Sequence, residues 1–292
     1  MSRIIMSIAA WAACALTTAA QHYAMPDVPD SLTTTSDRAG YALRHFWQRY
    51  DFSDTTLLRQ DYAEQAMVEF LSLMPYATAN DRDAGIRLWL KQADRDTTVC
   101  RYFLRQAASY LYQAQSPLRD EQTLQTILQH SLKLRSADGA MREKARFMLR
   151  LTSLNAVGSK AAAFSCETAD GRQLNTDSIE GPMLLFCYDP CCESCQNLMF
   201  RLKYCSPLNL AINERRLTLL AVYTGDDEAL WRQTAANMPQ QWTIAIDRTG
   251  IGDNLLYDLT EMPVMVLTDS RRTVLLKHPT IDQLTDWLMH CL

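Results

Sequence analysis

The stretch that most constrains this chain is Phe186-Cys187-Tyr188-Asp189-Pro190-Cys191-Cys192-Glu193-Ser194-Cys195. An apolar run, Pro182 to Phe186, leads into it, and a segment of helical character, Gln196 to Tyr204, leaves it. A strand that empties into a helix through Cys-x-x-Cys is the layout of a dithiol redox site. At a helix start the unpaired N–H groups and the helix dipole favour negative charge, and so favour the reactive thiolate of the first cysteine. The second cysteine follows three residues later, on the same face, close enough to close a disulfide. Cys192 is read as the attacking nucleophile and Cys195 as the resolving thiol.

The flanking pattern fits that assignment. Ala163 to Thr168 reads as a strand, with a hairpin signal at Asp170-Gly171, and Pro182 to Tyr188 as a central strand. The helix after the redox pair is expected to stop near Ser206-Pro207. Leu217 to Tyr223, continuously apolar, reads as a buried parallel strand. Then follow a helix over Asp226 to Asn237, a strand over Trp242 to Asp247, and a short helix over Gly252 to Leu259. A hairpin of Val264 to Thr268 with Thr273 to Lys277 and an amphipathic helix, Ile281 to His290, close the chain. This order predicts a sheet covered by helices on both faces.

The N-terminal half has a different period. Met67, Phe70, Leu71 and Met74 repeat at helical spacing, as do Phe103, Ala107, Tyr110 and Leu111. Leu124, Ile127, Leu128 and Leu132 follow suit, then Met141, Ala145, Met148 and Leu149. Pro75, the polar run Thr78 to Asp83, Ser116-Pro117 and Asp138-Gly139 read as breakers between five or six helices. His45 and His130 have no partners at metal-ligand spacing and read as structural. The aromatic cluster Tyr41, Phe46, Trp47, Tyr50 and Phe52 reads as core.

The expected organisation is a signal peptide over 1–20, a polar lead-in over 21–37, a helical domain over 38–151 and a redox domain over 157–292. Asn155 to Lys160 is read as the linker. The signal rests on Arg3, the apolar core Ile4 to Leu16 and the small residues Thr18-Ala19-Ala20. Cys14 raises a lipoprotein form, an N-terminal membrane tether, but the residues before it lack the preferred leucine-like position. No later stretch is long and apolar enough to span a bilayer. A net charge of −4 gives no electrostatic reason to bind nucleic acid. Without Cys14, eight cysteines remain, which allow 105 full pairings, so connectivity is not readable. Cys100, Cys166 and Cys187 sit in apolar patterns and read as small buried hydrophobes.

On these residues the C-terminal part resembles the thioredoxin-like domains of the TlpA type. Its opening, Val157-Gly158-Ser159-Lys160-Ala161-Ala162-Ala163-Phe164, resembles their Gly-x-x-Ala-x-x-Phe start. Cys192-Glu193-Ser194-Cys195 is the redox motif, and Met262-Pro263, just before the strand from Val264, is the second hallmark. The fold class implied is an α/β thioredoxin-like C-terminal domain preceded by an all-α helical domain. The resemblance implies a cis Pro263 across from the cysteines. It also implies that the Met262 backbone pairs with an extended substrate segment. The helical half is similar to an uncharacterised domain found ahead of such domains in exported proteins of Gram-negative bacteria. That likeness rests on His45-Phe46-Trp47, Tyr50-Asp51-Phe52-Ser53-Asp54 and Ser116-Pro117-Leu118-Arg119-Asp120-Glu121.

The function expected is thiol–disulfide exchange in the periplasm, reducing protein disulfides and recharged by an upstream thiol reductant. The sulfurs carry the electrons, so no cofactor or metal is expected. Cys191 stands where a Trp is common in the family, and Glu193 places negative charge beside the thiolate. Both are candidate modulators, and Glu193 argues for a moderately reducing site. The peroxiredoxin pattern fails, because Asn197 stands where its cysteine should be. Two other readings are a structural zinc site on Cys191, Cys192, Cys195 and Cys205, and a non-catalytic binding or assembly protein that works through the helical domain.

Overall fold

The structure, a computed structural model, describes residues 23–292 except Gln60. The expected signal peptide, with Arg3 and Cys14, lies outside the described residues. The helical region holds α1 (Thr35–His45), α2 (Asp61–Ser72), α3 (Ala79–Ala93), α4 (Thr97–Tyr112), α5 (Glu121–Ser131) and α6 (Gly139–Ser153). Several stretches read as breakers prove to be helix starts. Thr78 caps α3 by accepting the Asp81 N–H at 3.1 Å, so the polar run from 79 to 83 is the first turn of that helix. Asp138 caps α6 in the same way through the Met141 N–H at 2.8 Å. Asp96 and Asp120 cap α4 and α5.

Aromatic rings fill the core of this region. Phe46, Trp47, Tyr50 and Phe52 are buried with Phe70, Trp89 and Phe103, whereas Tyr41, read into the same cluster, is half-buried and stacks on His45 instead. The lead-in is not free: Tyr23 is buried and stacks on Phe46 at 4.9 Å between ring centroids. Helices α1 and α3 pack closely at Gly85, where a Cβ would lie 3.0 Å from the Cβ of Leu43. Both histidines bond within this region. His45 Nδ1 lies 2.8 Å from the Tyr41 carbonyl, and His130 Nε2 lies 2.6 Å from Asp83.

The C-terminal half contains β1 (Ser165–Thr168), β2 (Gln173–Asn175), β3 (Met183–Tyr188), α7 (Glu193–Lys203), α8 (Ser206–Asn213), β4 (Thr218–Tyr223), α9 (Glu228–Ala235), β5 (Thr243–Asp247), β6 (Val264–Thr268), β7 (Val274–Lys277) and α10 (Ile281–His290). Its sheet runs β2-β1-β5-β4-β3-β6-β7. Strands β3, β4 and β5 are parallel, and β1 and β6 are antiparallel to their neighbours β5 and β3.

Three expectations are corrected here. Ser206-Pro207 does not merely stop α7. It opens a second helix, α8, because proline's fixed φ and missing N–H suit the first turn. The helix expected over Gly252 to Leu259 is a run of turns. Polar side chains there take up backbone groups that a helix would use. Asp247 accepts the Thr249 and Ile251 N–H groups, each at 2.7 Å, and Asn254 donates to the Thr249 carbonyl at 2.6 Å.

Nor, among the described residues, do helices cover both faces. The steps β3 to β4 to β5 run in one direction across the sheet, so right-handed crossovers put their helices on one side. Cys195 and Leu202 of α7, Leu208 of α8, Trp231 of α9 and Leu284 of α10 share one core with Phe186 and Leu219. The return from β5 to β6 crosses the opposite face, where Ile251 and Tyr257 cover Cys187, Val222 and Val266.

The helical region packs against that return segment and against β7. The Tyr112 hydroxyl donates to Asp258 at 2.5 Å, and Asn155, itself buried, donates to the Leu256 carbonyl at 2.8 Å. The stretch read as a linker is ordered by pairing: Gly158 N–H donates to the Val274 carbonyl at 2.8 Å, and Val274 N–H to the Ser159 carbonyl at 2.9 Å.

Candidate active site

Sheet register decides what stands beside the end of β3. β3 pairs antiparallel with β6, Cys187 opposite Val264. Met262 and Pro263 directly precede Val264, so they lie beside the point where the cysteine loop departs. The Met262–Pro263 peptide is cis.

After Tyr188 the chain turns at once. The Asp189 carboxylate accepts the Cys191 N–H at 2.7 Å, and its carbonyl accepts the Cys192 N–H at 3.1 Å. Cys192 is then the N-cap of α7, with extended backbone, and its Sγ accepts the Cys195 N–H at 3.3 Å. Sulfur here takes the place of a capping oxygen and satisfies one of the helix's orphan donors. Gln196 Nε2 donates to the Pro190 carbonyl at 2.6 Å and ties the turn to the helix.

The two cysteines are unequal. Cys192 is half-buried and Cys195 is fully buried. Burial pushes the Cys195 thiol up to about 12; a hydrogen bond from the Asp189 backbone favours the thiolate but is outweighed. A protonated thiol beneath a solvent-reachable one is the asymmetry that separates attack from resolution. Strand β3 carries no carboxylate, and Asp189 is the acid whose charge acts on Cys195.

Cys191 is exposed beside the pair, and Glu193 is exposed in the first turn of α7. Cys205 lies past the far end of α7, with Sγ 3.7 Å from Thr285 Oγ1. About 16 Å of helix, at ~1.5 Å per residue, separates it from Cys192, so these sulfurs do not converge on one centre. Cys100, Cys166 and Cys187 are all buried.

Sequence reasoning missed the contribution of the helical region. The loop between α4 and α5, residues 113–120, reaches the cysteine pair. Gln115 Nε2 donates to Ser194 Oγ, between the two cysteines, and the Ala114 N–H donates to Glu261 at 3.4 Å, just before Met262. At the end of this loop Glu121 meets three cationic or basic side chains. Lys277 Nζ lies at 2.6 Å, Arg119 at 3.1 Å and His278 Nε2 at 3.2 Å. Burial alone would raise the Glu121 pKa, but His278 and Lys277 hold it down at about 2. Burial lowers the His278 pKa. Ser116 to Glu121 had been singled out in sequence, but a loop that acts through contacts 79 residues away leaves no periodic signal.

Residues 8–155 match a domain of unknown function, DUF5106. The chain belongs to the DUF5106 family. Among solved structures, this DUF5106 chain is similar to a thioredoxin-like protein from Bacteroides caccae, at 26% identity and a TM-score of 0.86. That likeness covers 92% of this chain and 99% of the other, so helical region and thioredoxin-like domain are shared together. A conserved protein of unknown function from Bacteroides fragilis is 30% identical, covering 46% of this chain and 98% of its own, with a TM-score of 0.44. The thioredoxin domain of a thiol-disulfide oxidoreductase from Bacteroides vulgatus is 19% identical, covering 46% of this chain and 96% of its own, with a TM-score of 0.41. No curated protein matches the chain.

Proposed function

We propose that this DUF5106 protein is an exported thiol-disulfide oxidoreductase that reduces protein disulfides through Cys192 and Cys195. One observation carries the reading: Cys192 caps α7 at the surface, directly over the buried, high-pKa thiol of Cys195.

The Cys192 thiolate attacks one sulfur of a substrate disulfide. A Cys192–substrate disulfide forms, and the departing substrate sulfur takes up a proton. Cys195, once deprotonated, attacks the Cys192 sulfur, and the second substrate thiol leaves. Two electrons and two protons pass to the substrate, and the protein is left with a Cys192–Cys195 disulfide. An upstream thiol reductant reverses this. The Met262 backbone pairs with the extended substrate segment, and Pro263, lacking an N–H, adds no competing donor. Glu193, in the first turn of α7, adds a negative charge beside the cysteines, which suits a moderately reducing couple. The setting is the periplasm, and no described helix is long and apolar enough to cross a membrane.

The test is a glutathione redox titration of the purified protein with mass-spectrometric thiol mapping. A reversible two-electron couple confined to Cys192 and Cys195 is expected, with Cys192→Ser abolishing turnover of a disulfide peptide. No reversible couple, or turnover that survives Cys192→Ser, refutes the proposal.

A further inference from the structure

The helical region builds one wall of a groove that opens at the redox pair. The groove, about 460 Å³, runs from Pro263 and Ser194 along Asn197 and Arg201 of α7 to Arg119 and His278. That volume falls within the range of about 300–1,000 Å³ common for ligand sites. The 113–120 loop closes it on the helical side through the Gln115–Ser194 and Ala114–Glu261 hydrogen bonds.

Its charge is one-sided. Two arginines, Arg119 and Arg201, line it, and no carboxylate does. Arg201 makes no ion pair among the described residues. Arg119 and Lys277 share the single carboxylate of Glu121, which leaves positive charge over. Arg119 Nε is buried at this end with no hydrogen-bond partner. Glu193 and Glu261 flank the mouth of the groove but do not line it.

From this we infer that the groove selects acidic substrate segments. A disulfide-bearing chain enters with its sulfur at Cys192 and lays an Asp or Glu side chain against Arg201 and Arg119. This deepens the redox reading and rests on it for the identity of the substrate as a disulfide. The helical region then acts as the specificity wall, with Arg119 and Arg201 as specificity-determining residues.

The test separates binding from chemistry. In the Cys192→Ser, Cys195→Ser protein, fluorescence anisotropy measures three labelled peptides of one sequence, differing only in Glu, Gln or Lys beside a central Ser. The Glu peptide is expected to bind at least about tenfold more tightly than the Gln peptide at low salt, as for a charge-assisted contact. The advantage should shrink as salt rises. Arg201→Gln, on an exposed helix face away from the joint, should remove most of it even if Arg119→Gln disturbs folding. Equal binding of Glu and Gln peptides, or an acidic preference that Arg201→Gln leaves intact, overturns the inference. Turnover of the corresponding disulfide peptides by the unsubstituted protein reports on the redox reading separately. Charge preference without turnover would sink only that reading, and turnover without charge preference only this one.

Discussion

Replacing Glu121 by glutamine should destabilise the protein by an amount that depends on pH. Glu121 lies in the joint between the helical region and β7, its side chain 12% exposed. Burial acts to raise its pKa, yet His278 and Lys277 hold it at about 2 against an ordinary 4.5. A carboxyl with a lower pKa in the folded chain stabilises that chain fully above the unfolded value. The contribution fades as pH falls through the folded value. The gap between the two values corresponds to about 3 kcal/mol at pH 7, and to about 1 kcal/mol at pH 3, where the unfolded carboxyl is already protonated. Glutamine also leaves Lys277 Nζ without its partner at 2.6 Å, which adds in the same direction. Asp120 remains as the helix cap, so local folding of α5 is preserved. Urea unfolding followed by far-UV circular dichroism, at pH 7 and pH 3 and with matched slopes, reads the difference. A deficit under about 0.5 kcal/mol at pH 7, the scale of an exposed pair, would refute the reasoning. So would a deficit of equal size at both pH values.

Two further outcomes follow from the geometry. Because Cys195 is buried and pushed up to about 12, iodoacetamide at pH 8 should alkylate Cys192 at least about a hundredfold faster; comparable rates in peptide mapping would contradict the assigned roles. Gly85→Ala would set a Cβ 3.0 Å from the Leu43 Cβ and 3.2 Å from the Leu43 carbonyl oxygen. Overpacking of this kind costs about 1–3 kcal/mol, and an unchanged Tm would show that α1 and α3 can separate freely.

Much of the architecture was legible because its causes are local. The apolar run into Cys192 and the helical spacing after it placed the strand, the turn and α7. The stripes through Met67 and Phe103 placed their helices. What stayed hidden depends on contacts distant in sequence, or on polar residues with two uses. Thr78 and Asp138 were read as breakers because the residues that interrupt one helix also cap the next. The segment after Asp247 has helical spacing at Ile251 and Leu255, but Asp247 and Asn254 divert its backbone groups into turns. At the site, the cysteines and Met262-Pro263 stood out by residue type. Gln115 and Arg119 did not stand out as groove residues, because only the docking of the helical region brings them there.

The pairing of Gly158 and Ser159 with Val274 has a consequence for self-association. β7 is the last strand of the sheet, and a bare outer strand is a template on which another chain can add. Here the segment leaving the helical region occupies part of that border itself, and the opposite border is the three-residue β2. Residues 158–161 therefore shield part of the outer strand on which a second copy could add. A chain begun after Ala161 would leave that border bare.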